Sequence, residues 1–466
     1  MRYHLQSKPT QEDTHALVLG TGLAGLLAAR VLADHFHRVT LIESPAAAHY
    51  ADWPPSLQAQ RLVERWFPGF GAELMTAGAP SVEWTAECPT LLPAGWARRF
   101  QSGLISRLSS PALLEKITRQ RLLDYSTGRV TFSPEQVTGL QRSGEQISGV
   151  VCASGEVLTA DVVLNTSKRN LKALPNTRPP DAIEIETSLY TTTAIFQQPE
   201  GLERDWRALL VLPDSGAKAR GGFLYPIEGR RWVVTLFGLE TPANDITTFL
   251  NDAGVLRSPV IAEALCAATP LTTSLETTDH LILRQQRYER LLSWPPGLLM
   301  FADAACDYGP FYRQTNAALA ALALAEALDE QRRQQPDGAL NGLAARFHAR
   351  QARLNDLPWR LAETCVDYWL KAHPPGHVLG LPAWYIEQAM IAATRHPAIY
   401  QMLLEIAQRA TSPMQLFTTS VFFQIVRQQF APRQRSPITL MPPSFRPPTP
   451  RKLVTQEMTA IAKAGK

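Results

Sequence analysis

The stretch from Ala16 to Glu43, ALVLGTGLAGLLAARVLADHFHRVTLIE, limits this chain to a small set of folds. Ala16 to Leu19 read as a buried parallel strand. Gly20, Gly22 and Gly25 follow at G-x-G-x-x-G spacing and open an apolar helix expected to run to about Phe36. A second strand, Arg38 to Ile42, ends in Glu43. Gly20 permits a tight turn, Gly22 lets backbone approach a pyrophosphate, and Gly25 lets helix and strand pack closely. The helix start offers unpaired N–H groups and a positive dipole end, and Glu43 is placed to accept the hydroxyls of an adenosine ribose. The spacing predicts a dinucleotide-binding βαβ unit.

At 466 residues, with 45% hydrophobic and 19% charged content, the chain can bury a large core spread over two or three subdomains. A net charge of +4 with dispersed arginines argues against nucleic acid as a partner. The five cysteines lie far apart without a C-x-x-C, the N-terminus is polar, and the apolar helix Ala317 to Leu328 is too short for a membrane span. These features lead us to expect a reduced, cytoplasmic protein with no transmembrane segment. His373 and His377 are four apart, but Pro374, Pro375 and Gly376 between them forbid the helix that would bring both to one ion, so no metal site is expected.

Further along, Leu57 to Phe67 and Leu113 to Tyr125 read as helices. Arg129 to Phe132, Gln146 to Cys152, Glu156 to Leu158 and Ala160 to Leu164 read as strands. The middle is β-rich: Ser188 to Gln197, Ala208 to Leu212, Gly221 to Ile227 and Arg231 to Leu239, the last two joined by the turn Glu228-Gly229-Arg230. A short strand, Leu298 to Phe301, precedes Asp303 and an alanine-rich helix from Asn316 to Leu328. The expected class is α/β. A Rossmann-like nucleotide domain (14–175 and 280–330, with a helical insertion near 56–99) carries an inserted antiparallel β-sheet substrate domain (176–279). A helical region (331–430) and an extended proline-rich tail (431–466) follow.

With FPGFGAELMTAGAP at Phe67, the ADVVLNTS strand at Asp161 and PPGLLMFADAACDYGPFYRQT from Pro295, the order of pieces resembles the FAD-dependent monooxygenases of the para-hydroxybenzoate hydroxylase type. The likeness is strongest to the branch of polyether epoxidases, squalene epoxidase and halogenases. The resemblance implies FAD as cofactor, with a flavin C4a-hydroperoxide as oxidant. It also implies NAD(P)H as a transient donor, since no second fingerprint is present, and an apolar polyketide- or terpene-like substrate that is epoxidised or hydroxylated. Asp303 matches the family aspartate on the ribityl chain, and Pro310 the proline beneath the ring. The chain departs from the family at Leu57, at Pro111, at Ala302 where the family has glycine, and at Arg313 and Thr315, which replace two glycines. A divergent member that cyclises or binds a hydrophobic substrate, or that partners an active relative, is the alternative these departures raise.

Several side chains keep two readings. Asp303 is a ribityl ligand or a helix cap. Arg313 is a cation tuning the flavin or a side chain filling its space, and Arg107 and Lys116 reach phosphates or are surface charges. Tyr225, Trp232 and Phe237 along the central sheet line an apolar substrate pocket or belong to the core.

Overall fold

The computed structural model describes residues 14–43, 49–167, 180–187, 189–201, 203–213, 220–238, 242–272, 274–278, 281–291, 293–370, 383–429 and 442. The proline-rich tail and the His373/His377 pair lie outside these, apart from residue 442. At the centre is a parallel sheet in the order Leu298–Met300, Val162–Asn165, His15–Leu19, Arg38–Ile42, Val130–Ser133. Successive side chains of the first strand serve opposite faces, as the two-residue pleat requires. Ala16 and Val18 join the helices Leu23–Leu32 and Arg313–Gln334 in one core. Leu17 and Leu19 pack with Ile147, Val150 and Cys152 of an antiparallel meander, Val137–Ser143, Gln146–Cys152 and Val157–Thr159.

The fingerprint helix is shorter than its sequence suggests. After Leu32 the N–H groups of Asp34 and His35 bond three residues back, to Val31 and Leu32, which tightens the last turn and ends it. Conversely, the helix expected from Leu113 begins at Pro111, where the Ser110 hydroxyl accepts from Leu113 N–H and proline occupies the first turn.

The second sheet is built on the hairpin Arg220–Ile227 and Arg231–Gly238, flanked by Tyr190–Gln197 and Leu209–Val211. Its far edge comes from the insertion near 56–99, which is therefore not wholly helical. Thr90–Leu92 pairs in parallel with Leu209–Val211, and Gly95–Trp96 closes the edge. Helices Ile246–Gly254 and Val260–Leu265 cover one face of this sheet, with Phe249 and Ile261 fully buried against it.

The C-terminal region is helical: Leu343–Leu370, Ala383–Ala393, Pro397–Ala407 and Thr419–Gln429. No helix among the described residues is long and apolar enough to cross a membrane. The first of these helices braces the central sheet. His348 Nε2 accepts from Met300 N–H at 3.1 Å, while Gln351 accepts from Ala302 N–H and donates to Met300 C=O, both at 3.0 Å.

The brace requires an unprotonated His348, and burial lowers its pKa to about 3. Burial, aided by Arg332, lowers that of His35 to about 4. For both, the unfolded chain takes up its proton first, near pH 6.5, so their stabilisation is complete above that value and is lost as pH falls toward 4 and then 3. We expect the free energy of urea unfolding to fall below pH 6.5 by roughly 1.4 kcal/mol per pH unit for each histidine. An H348Q variant should show a clearly shallower slope, and an unchanged slope would disprove the assignment.

Candidate functional site

The three fingerprint glycines adopt the geometry their spacing implies. Gly20 has φ +119°, and a Cβ on Gly25 would lie 1.9 Å from the Gly20 carbonyl oxygen, so only glycine permits this turn and this packing. Gly22 caps the helix start, and the Leu23 N–H donates to the Glu115 carboxylate at 3.2 Å. Burial holds that carboxyl above its usual pKa, with the Leu23 N–H opposing. At the end of the second strand, Glu43 is exposed and its carboxylate lies 3.4 Å from Arg119, whose guanidinium covers the Phe132 ring. The arrangement leaves an acid and a cation at the rim of the sheet beside the fingerprint.

Far downstream in sequence but in the same parallel sheet, the strand Leu298–Met300 runs into Ala302 and Asp303. Ala302 adopts φ +51°, a left-handed conformation that glycine takes freely and alanine at a cost of about 1 kcal/mol. Both Asp303 oxygens are used: Oδ2 accepts from Arg313 Nε at 2.9 Å and Oδ1 from Asn316 Nδ2 at 3.1 Å. Arg313 Nη1 lies 2.5 Å from Asp52 Oδ1. Burial alone would lower the guanidinium's pKa, but Asp52, Asp303 and Asp307 outweigh it and hold the pKa above the ordinary value. Arg313 is thus a permanent cation between two buried carboxylates. Lys116, by contrast, is exposed on the helix Pro111–Ser126.

The segment carrying Asp52 is tied to the same place by backbone bonds. Trp53 N–H donates to Pro310 C=O at 3.0 Å, and Ser56 N–H donates to the Thr315 hydroxyl at 3.0 Å. Pro310 therefore does lie at this centre, beside Asp303 and Arg313. Trp53 then packs on Phe223 and Phe311, with ring centroids 5.0 Å apart in each case, and on Phe237 at 5.9 Å.

The second sheet brings together two of the three aromatics singled out in the sequence. Tyr225 and Phe237 share a core with Trp53, Leu57 and Trp84, and burial, reinforced by Asp52, raises the Tyr225 pKa. Trp232 is on the opposite face, stacked on Trp206 and packed with Phe196 and Phe249, so it does not line this centre. Five positions separate Trp232 from Phe237, and an odd separation in a strand puts two side chains on opposite faces. The contribution of the segment Tyr50 to Ser56 escaped the sequence reading. Its one signal is the pair Asp52-Trp53, an acid and an indole ahead of two prolines.

The glycine turn has the tightness a dinucleotide-binding turn needs: a Cβ on Gly20 would lie 2.4 Å from Thr166 Oγ1 and one on Gly25 1.9 Å from the Gly20 carbonyl oxygen. Toward the ring end, the buried Gln314 Oε1, Asn316 Oδ1 and Trp53 Nε1 have no hydrogen-bond partner. Such buried orphans are rare unless a ligand meets them.

No protein-family model matches the chain. The protein Rv3254 of Mycobacterium tuberculosis is 26% identical over 336 residues, 64% of this chain and 69% of the relative. Among solved structures, the flavin-dependent brominase Bmp2 superposes with a TM-score of 0.64 at 14% identity, covering 90% of this chain and 99% of that one. The p-nitrophenol 4-monooxygenase PnpA from Pseudomonas putida gives 0.62 at 14% identity, covering 85% and 99%. PqsL, a probable FAD-dependent monooxygenase from Pseudomonas aeruginosa, gives 0.54 at 20% identity, covering 76% and 98%. At such identities the likeness is one of fold.

Proposed function

We propose that this chain, which has the fold of the flavin-dependent monooxygenases and halogenases, is an FAD-dependent oxidoreductase of the monooxygenase type acting on an apolar small molecule. The observation that carries the reading is the meeting of an intact glycine turn with orphaned polar atoms at the start of the helix Arg313–Gln334. In this reading Gly20, Gly22, Gly25 and Glu43 hold the adenosine end, and Asp303 and Pro310 the ribityl and ring end. The chemistry supplied by bound FAD would be the transfer of electrons from a transient donor, NAD(P)H, to dioxygen.

The chain's own contribution is placement and exclusion of water. Tyr225 and Phe237, with Phe223, Phe311 and Trp53, form an apolar wall beside Pro310 that suits a hydrocarbon-like substrate to be epoxidised or hydroxylated. Arg313 keeps a fixed positive charge at that wall, which favours any anion forming there.

A second reading is favoured by the same cation. If Arg313 and Trp53 permanently fill the ring space, the chain is a non-redox relative that cyclises or binds a hydrophobic molecule. The absorption spectrum of the purified protein, before and after excess FAD, separates the two. Stoichiometric flavin bands that bleach with a reduced nicotinamide and return in air are expected. A protein that takes up no FAD would overturn the oxygenase reading.

A further inference from the structure

The positive charge of this chain is concentrated near its C-terminus by a lack of acids. Between Glu405 and Glu457 the sequence holds seven Arg and Lys and no Asp or Glu, a charge of +7 where the whole chain carries +4, so the remainder is net negative. Within this stretch lie the 3-10 helix Pro413–Phe417 and the helix Thr419–Gln429, which packs on Ala383–Ala393.

Four large apolar side chains there face solvent: Met414 is 68% exposed, Phe423 65%, and Phe417 and Phe422 39% each. They form one face. Side chains three apart in a 3-10 helix eclipse, which sets Met414 beside Phe417. The Tyr385 ring stacks on both Phe417 and Phe422, with centroids 5.8 Å apart in each case, and Phe423 meets Phe422 at 6.0 Å. Tyr385 is itself buried and its hydroxyl donates to Leu416 C=O at 2.6 Å, so the rings are held in place without a ligand. The polar side chains between them, Gln415, Thr418, Thr419, Ser420 and Gln424, are exposed and uncharged. A contiguous apolar patch of this kind marks a surface that something covers.

A second copy of the chain would bring the same excess of cations face to face and be repelled. An anionic lipid surface meets both features, since its phosphates attract the cations and its headgroup layer accepts Phe and Met side chains. Thr419–Gln429 has 11 residues, about 16 Å of helix, which is too short to cross a bilayer and suits a helix lying along one. We propose that the face of Met414, Phe417, Phe422 and Phe423 is a peripheral docking surface for an anionic lipid bilayer, drawn to it by the acid-free sequence around the patch. The inner side of the same helical bundle reaches the candidate site: Tyr312 donates to Ala407 C=O at 2.7 Å, and Leu404 packs with the core of Tyr225 and Phe237. The bundle that docks is thus also the one that borders the apolar wall. The docking is independent of whether FAD binds.

The test is co-sedimentation of the full chain with vesicles of equal parts phosphatidylglycerol and phosphatidylcholine, and with vesicles of phosphatidylcholine alone. The parent should sediment with the anionic vesicles, far less with the neutral ones, and less as salt rises. M414S/F423S should weaken partitioning into anionic vesicles about tenfold or more, because two side chains no longer enter the headgroup layer. Both side chains project into solvent, so the double variant should keep the parent's urea unfolding midpoint, which separates lost docking from lost folding. A parent that stays in the supernatant, or a double variant that sediments as well as the parent, overturns the proposal. Equal sedimentation with neutral vesicles overturns the anionic assignment. A parent dimer in light scattering that M414S/F423S dissociates, without vesicle binding, assigns the face to a second copy instead.

Discussion

Replacing Arg313 with methionine is expected to destabilise the protein by about 3 kcal/mol, measured by urea unfolding at neutral pH. The side chains of Asp52 and Asp303 are only 9% and 11% exposed, and Arg313 is a cation shared by both. Removing one partner of a buried ion pair typically costs 3–5 kcal/mol, roughly, because the remaining charge is left uncompensated. The lower end applies here because Arg313 is itself 30% exposed. One corollary distinguishes this cause from lost packing: a D52N/R313M double variant should recover part of the loss. A penalty below about 1 kcal/mol would mean that water already solvates the pair.

Truncating Trp53 to alanine should cost about 3 kcal/mol by the same measurement. The indole touches three phenylalanine rings, from the hairpin and from the Pro310 turn, and its Nε1 bonds nothing, so the loss is one of packing and not of a hydrogen bond. Trp53 is half-buried, which sets the value at the low end of the roughly 3–5 kcal/mol range for aromatic truncation. Phenylalanine at this position should restore more than half. If alanine changed stability by less than about 1 kcal/mol, the Tyr50–Ser56 segment would not be docked on the sheet in solution.

These two side chains illustrate what the sequence could and could not reveal. The βαβ unit was legible because its physics is local: glycine spacing, an apolar strand and an acid at the next strand end all fall within thirty residues. The start of the helix at Pro111 was missed, because the apolar pattern points to Leu113 while the cap signal sits in Ser110-Pro111. The strand Val137–Ser143 was missed too, because its side chains are mostly half-exposed and give no clean alternation. Nothing local says that Thr90–Leu92 will join a sheet more than a hundred residues downstream. Asp52 and Arg313 are 261 positions apart, and their pairing follows only from how the segment crosses the Pro310 turn. Arg107 is a further case: that it lines a cavity with Leu23 and Gln314 follows from residues far from it in sequence.

The brace from His348 and Gln351 has a meaning for how this chain can be divided. The loop bearing Asp303 takes its backbone partners from Leu343–Leu370, a separate helix well downstream. Cleavage just before Leu343 followed by loss of the downstream piece would strip Met300 and Ala302 of those partners inside the core. The parallel-sheet half therefore does not complete its own backbone hydrogen bonding: the end of the strand Leu298–Met300 and the turn after it depend on that downstream helix.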